Sequence, residues 1–166
     1  MDTFEALEAA RRAHTHPPSA GSAEEAQALA TFAGFFSSFA PDRIERLLPD
    51  SYAQDVWFND TLKTLVGRDS LAHYLRESAD AVEACTVRII DSTRNAEGEY
   101  LVRWTMMIRF KRFKKGQDTH SIGLSHLRFD SEGRVVYQQD YWNAAEGIFR
   151  HIPVLGWMIE AVLRRM

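Results

Sequence analysis

Apolar residues recur along the first half of this chain at helical spacing and, from Cys85 onward, at every second position. Phe4, Leu7 and Ala10 share one side of a short helix predicted within residues 1–16. His14 to Ser22, with two prolines and a glycine, breaks the pattern as a linker. Ser22 then caps a second helix, with Glu25 three positions on as reciprocal partner, and Leu29, Phe32, Phe36 and Phe39 form its stripe. Ala40-Pro41-Asp42 stops that helix and starts a short one carrying Ile44, Leu47 and Leu48, which Pro49-Asp50 closes. The aromatic and β-branched stretch from Tyr52 to Asp60 reads as a strand. Gly67-Arg68-Asp69-Ser70 opens a further helix, with Leu71, Tyr74, Leu75 and Val82 inward.

The period-two region predicts strands over residues 86–93, 100–111, 120–129 and 135–142, joined by turn sequences such as Asn95-Ala96-Glu97-Gly98 and Asp130-Ser131-Glu132-Gly133. Tyr100, Val102, Trp104, Met106, Ile108 and Phe110 share the face that must be core. Leu101, Arg103, Thr105, Met107 and Arg109 form a mixed face suited to solvent or to a dimer contact. Helices followed by an antiparallel meander give an α+β class. The sheet can bury its apolar face only under the helices, and a twisted sheet curls around them into a cone. Three units are expected: an N-terminal helix and linker (1–22), the α+β domain (23–142), and a C-terminal helical extension (143–166) packed on the domain or on a dimer.

Composition narrows the function classes. A length of 166 residues, 45% of them apolar and 26% charged, suits one soluble domain with a real core. A net charge of −3 gives no general pull toward nucleic acid or anionic membrane. The single Cys85 excludes an intrachain disulfide and a cysteine-rich zinc site, and reads as a buried thiol. No signal-peptide order is present at the start, and no apolar run reaches the ~18–20 residues that span a bilayer, so a cytoplasmic protein is expected.

Local signatures add a resemblance. Pro41-Asp42-Arg43-Ile44, the run from Tyr52 to Asp60, Gly67-Arg68-Asp69-Ser70-Leu71, and His126-Leu127-Arg128-Phe129-Asp130 before Gly133-Arg134-Val135-Val136 resemble the NTF2-like superfamily. That superfamily is a cone-shaped α+β fold containing ketosteroid isomerases, SnoaL-type polyketide cyclases and non-enzymatic binding domains. The resemblance covers about residues 23–142 and implies a pocket and a homodimer. It places Asp60 at the position of the isomerases' general-base aspartate. The isomerases' tyrosine falls near Gly34, and their protonated aspartic acid falls on Ser125. Neither substitute is an equivalent donor, so the resemblance does not extend to steroid isomerisation.

Two carboxylates carry the candidate chemistry. Asp60 in a pocket walled by Phe58, Tyr74 and Trp104 would have its pKa raised by desolvation, as a base requires. The competing reading makes it an acceptor for turn N–H groups before Thr61. Asp140 shares a strand face with Val136, Gln138 and Trp142, the face that lines the cavity in the resembled family. A buried Asp needs a partner, for which Arg103, Arg128 or a ligand are candidates. A structural ion pair is the competing reading. If the two acids converge, one is a base and the other a protonated acid, with Ser125 and Trp142 completing the ligand site.

Other features offer less. His120 and His126 share an outward face, without the carboxylate a metal site would need. His73 falls on a helix surface. Residues 109–115 form a basic hairpin, RFKRFKK, too small a footprint for a nucleic acid and suited to protecting a sheet edge. The apolar tail from Ile148 to Met166 has three possible fates: a lid, a dimer contact, or a membrane contact, which its two arginines support poorly. The expected function is an enzyme of SnoaL or isomerase type acting on a hydrophobic carbonyl compound without metal or organic cofactor. The alternatives are a non-catalytic binding module and a protein-interaction domain.

Overall fold

The computed structural model describes residues 1–37, 39–112 and 116–144. Helices α1 (Thr3–Ala13), α2 (Ala23–Phe36) and α3 (Pro41–Ser51) precede strands β1 (Tyr52–Asn59) and β2 (Thr64–Val66). Helix α4 (Arg68–Ala81) leads into β3 (Val82–Arg94), β4 (Glu99–Phe110), β5 (Asp118–Phe129) and β6 (Val135–Trp142). The strands form one curved sheet in the order β2-β1-β6-β5-β4-β3. Every neighbouring pair is antiparallel except β1 and β6, which run parallel.

Helices α2, α3 and α4 fill the concave side, where Phe32, Phe35, Ile44, Leu48, Leu71 and Leu75 meet Tyr52, Val56, Phe58, Tyr100, Val102 and Leu127 of the sheet. The α2 stripe is rotated from the expected one. Ala28, Phe32 and Phe35 are buried, while Leu29, Phe36 and Phe39 pack at the margin of this core. Ser22 caps α2 by accepting from the Glu25 backbone N–H at 3.1 Å. Glu25 does not reach back to Ser22. It accepts instead from the Gly21 N–H at 2.6 Å and from the Tyr100 hydroxyl at 2.7 Å, tying the helix start to β4.

Three expected boundaries move. Pro49 does not end α3: Ser51 donates its hydroxyl to the Leu47 carbonyl at 2.9 Å, and Arg68 donates to the Pro49 and Tyr52 carbonyls, so the final turn is satisfied by side chains. Val82 is the first residue of β3 rather than an inward helix position, which lengthens that strand to 13 residues. Strand β2 is too short to show a period. It exists because Asn59 and Asp60 fold the chain back, with Thr61 at φ 73 held by a 2.8 Å bond from its N–H to Asn59 Oδ1.

Helix α1 lies on the opposite face of the sheet, away from the other three. Ala6, Ala10 and Leu7 pack on Ala53, Trp57, Val136 and Tyr137, whereas Phe4, expected inward, is 73% exposed. Small residues suit this site because the Trp57 and Tyr137 rings stack flat at 5.1 Å and present a broad surface. A buried carboxylate anchors the helix. Glu99 accepts from Arg11 Nε at 2.6 Å and Nη2 at 3.0 Å and from Asn95 at 2.9 Å, with His126 Nε2 at 3.0 Å. Burial pushes the Glu99 pKa up, but these hydrogen bonds outweigh it and bring the group down to about 2. His126, expected at solvent or a dimer contact, is therefore an intramolecular partner, while His120 and His73 are exposed. Among the described residues, no helix is long and apolar enough to cross a membrane. The apolar tail lies outside the described residues apart from its approach through Ala144. So do Phe113, Lys114 and Lys115 of the basic hairpin, whose Arg109 pairs with Asp118 at 2.8 Å.

Candidate active site

Between the concave sheet face, α2 and α4 the structure holds a cavity of about 240 Å³. Its described lining includes the aromatic side chains Phe32, Phe36, Phe39, Phe58, Tyr74, Trp104, Phe110 and Trp142, with Met106, Ile108 and Ile89 among the aliphatic ones. Polar groups gather at Asp60, Ser125, Gln138 and Asp140. All seven side chains singled out from the sequence (Phe58, Asp60, Tyr74, Trp104, Ser125, Asp140 and Trp142) border this one space. The register explains the convergence: Ser125 pairs with Asp140 and Gly123 with Trp142 across β5 and β6, while Trp104 faces Gly123 across β4 and β5. Gly123 is required there, because a Cβ would lie 2.2 Å from the Trp104 ring.

Asp60 stands at the end of β1, where one carboxylate oxygen serves the turn and the other faces Tyr74. Oδ1 accepts from the Leu62 N–H at 3.0 Å and the Lys63 N–H at 2.9 Å, which makes it the organiser of the β1–β2 turn. Oδ2 points at α4 and accepts a short hydrogen bond from the Tyr74 hydroxyl. Trp142 Nε1 donates to the Asp60 carbonyl at 2.7 Å, fastening the turn to the end of β6. Burial, then the charge of Asp60, pushes the Tyr74 phenol well above its ordinary pKa, so it remains a donor.

Asp140 has a different environment. The expected cationic partner is absent: Arg103 pairs with Asp91 on the outer face, and Arg128 donates to the carbonyls of Glu97 and His14. Odd-numbered β4 positions and even-numbered β5 positions face away from the cavity, so neither guanidinium could reach it. Neutral donors serve instead. Ser125 Oγ donates to Oδ1 at 2.6 Å, and Gln138 Nε2 lies 2.9 Å from Oδ1 and 3.1 Å from Oδ2. Each donor is itself held: Trp104 Nε1 donates to Ser125 Oγ at 2.9 Å, and the Tyr52 hydroxyl donates to Gln138 Oε1 at 2.7 Å. Desolvation raises the Asp140 pKa from 3.8 to about 7; Ser125 and Gln138 oppose this, and the charge of Asp60 adds to it. Near neutral pH this carboxyl is therefore protonated in a large share of molecules.

Tyr52 and Gln138 are functional neighbours to which sequence reasoning gave no role. Gln138 was visible on the Asp140 face at period two, but its partner Tyr52 is 86 residues away. The thiol of Cys85, pushed up to about 11 by burial, also borders the cavity and is a poor nucleophile at neutral pH. Among the described residues, no group of three His, Cys, Asp or Glu side chains is placed to hold a metal.

A model of the SnoaL-like domain matches residues 32–138, which takes in the end of α2, α3, α4, all of β1 to β5 and the first half of β6. The chain belongs to the SnoaL-like family. Solved structures of SnoaL-like and related folds agree with the architecture. An epoxide hydrolase of the LEH-like type from M. tuberculosis is 14% identical with a TM-score of 0.60, covering 83% of this chain and 96% of that one. A ketosteroid isomerase-like protein from Catenulispora acidiphila, solved with trimethylamine, is 16% identical with a TM-score of 0.63, covering 75% and 92%. A protein from Shewanella denitrificans, provisionally assigned as a SnoaL-like polyketide cyclase, is 19% identical with a TM-score of 0.60, covering 75% and 94%. At these identities the likeness is one of fold, the NTF2-like cone. No curated protein matches the sequence significantly.

Proposed function

We propose that this SnoaL-like protein is a cofactor-independent acid/base enzyme acting on a small hydrophobic carbonyl compound. One observation carries the reading: two carboxyl groups in opposite electrostatic environments border the same largely apolar cavity. Asp60, held by turn N–H groups and Tyr74, is the base that removes a proton from carbon beside the carbonyl. The electron pair moves onto the carbonyl oxygen, which takes a hydrogen bond or the proton from neutral Asp140. Return of a proton to a different carbon completes an isomerisation; attack of the enol carbon on an electrophile completes a cyclisation. Burial of Asp140 favours its neutral form, which suits it to the acid role beside a second carboxyl group. Apolar cavities of about 150 Å³ accept benzene, so 240 Å³ accommodates a substituted ring.

The test is exchange of α-hydrogens of hydrophobic ketones in deuterated water, followed by proton NMR. Wild type should accelerate exchange, and Asp60→Asn should lose about 10²-fold or more of it. Equal rates for the two proteins would overturn the role of Asp60. A second reading, a binding module, is favoured by one detail: all three hydrogen bonds to the Asp60 carboxylate come from the protein itself. Ligand retention in native mass spectrometry by both proteins, with no exchange by either, would select it.

We also propose a homodimer through the outer face of the sheet, where Leu101, Ile122 and Tyr141 are 42%, 68% and 50% exposed. These residues lie on the outer face of adjacent strands β4, β5 and β6, and an Ile122→Asp change should split the dimer in light scattering.

A further inference from the structure

The donor inventory of the cavity goes further than its shape. Among the described lining side chains, nearly every hydrogen that could meet a ligand is already committed. Trp104 donates to Ser125, Ser125 to Asp140, Tyr74 to Asp60, Trp142 to the Asp60 carbonyl, and Ser78 to the Tyr74 carbonyl. Each of these groups owns a single polar hydrogen, so none is left over. Gln138 has a second amide hydrogen, but the residue is only 1% exposed, so that hydrogen is covered. The thiol of Cys85 is a weak donor. Among the described lining residues there is no lysine, arginine or histidine.

Asp140 is the exception. Both of its strong partners converge on Oδ1, and Oδ2 receives only the longer approach from Gln138 at 3.1 Å. A proton on the carboxyl therefore sits on Oδ2 and is, among the described lining side chains, the one strong donor hydrogen available to a guest. When it is lost, the polar end of the cavity presents acceptors and negative charge only.

We infer that the cavity is a proton-gated site for uncharged carbonyl compounds: it binds an accepting oxygen while Asp140 is neutral, rejects it once Asp140 ionises, and excludes carboxylates throughout. This rests on the reading of the cavity as a ligand site and adds the ligand's charge and polarity to it. The gate falls near neutrality, because burial holds the Asp140 pKa at about 7. The other titratable groups turned toward it are Asp60 after β1, Tyr52 of β1, Tyr74 of α4 and Cys85 of β3. Burial raises both phenols and the thiol, so none of these three ionises across the gate. Lys63, the cation beside Tyr74, places its Nζ 5.2 Å from the centre of that ring.

The experiment is a tryptophan-fluorescence titration of the full chain with acetophenone, its hydrocarbon isostere ethylbenzene, and benzoate, at about pH 5.5 and about pH 8.5. Acetophenone should bind about fivefold more tightly than ethylbenzene at the lower pH, the worth of one hydrogen bond, and no better than ethylbenzene at the higher. Benzoate should bind at neither. Asp140→Asn keeps an N–H where Oδ2–H stood, so its preference for the ketone should persist at both values. A ketone preference that ignores pH in wild type, or that still follows pH in Asp140→Asn, overturns the gate alone. Failure of all three probes to bind overturns the ligand-site reading beneath it. Should the variant fail to fold by circular dichroism, the wild-type comparison at the two pH values still decides.

Discussion

Replacing Asp140 with asparagine should make the fold more stable at alkaline pH than at acid pH, relative to wild type. The native carboxyl holds its proton up to about pH 7, whereas the unfolded chain releases it near 3.8. Between these values the unfolded state binds fewer protons than the native state, so native stability falls as pH rises and levels off above about 7. The full gap corresponds to about 4 kcal/mol, and the portion lying between about pH 5 and pH 8 to about 2–3 kcal/mol. Asparagine has no such term, and its Oδ1 can still accept from Ser125 and Gln138. Urea unfolding of both proteins at the two pH values, followed by tryptophan fluorescence, gives a double difference in which every other titrating group cancels. The variant should gain about 2–3 kcal/mol on wild type between pH 5 and pH 8. A gain below about 1 kcal/mol would mean that the carboxyl is solvated in the native state, and would refute the argument from burial.

Gly123→Ala should cost about 1–3 kcal/mol, since the new methyl group meets the Trp104 ring and must displace it; near-UV circular dichroism should change with the unfolding midpoint. Tyr52→Phe leaves Gln138 Oε1 buried without its donor and should cost about 1–3 kcal/mol in urea unfolding, without altering far-UV circular dichroism. Arg11→Ala removes two of the hydrogen bonds to buried Glu99 and should cost about 3 kcal/mol at neutral pH. Because the Glu99 pKa is depressed in the native state, its contribution is present above about 4.5 and lost as pH falls toward about 2, so the variant's acid-unfolding curve should flatten over that range.

Most elements were legible in the sequence because they follow from period, β2 excepted, and the pocket was an implication of the family resemblance. Alternation along β4 places Trp104 inward, and alternation along β6 places Asp140 and Trp142 on the same side. The partner of Asp140 was not legible. An expectation that buried charge seeks opposite charge pointed to Arg103 or Arg128, but strand parity sends both guanidinium groups to the other face, and desolvation neutralises the carboxyl instead. Helix α1 misled in a similar way. Its largest apolar residue, Phe4, suggested the inward side, yet the flat Trp57–Tyr137 surface accepts alanine, and Phe4 is left in solvent. The turn role of Asp60 was legible from its place before Thr61, whereas the Tyr74 bond to its second oxygen joins β1 to α4 across fourteen residues.

The parallel pairing of β1 with β6 has a consequence for the order of assembly. Tyr52 to Asn59 align with Val135 to Gln139, so strands joined side by side in the sheet are about eighty residues apart along the chain. Until β6 docks, β1 has only the three-residue β2 beside it, and Asp60 has neither the Trp142 bond to its carbonyl nor a second carboxyl across the cavity. Loop closure over that span is slow relative to hairpin formation among β3, β4 and β5, which need only local turns. During synthesis the meander up to β5 emerges without the strand that carries Asp140. The cavity's walls thus exist before its chemistry does, and the two acids meet only when the chain is extended through Asp140.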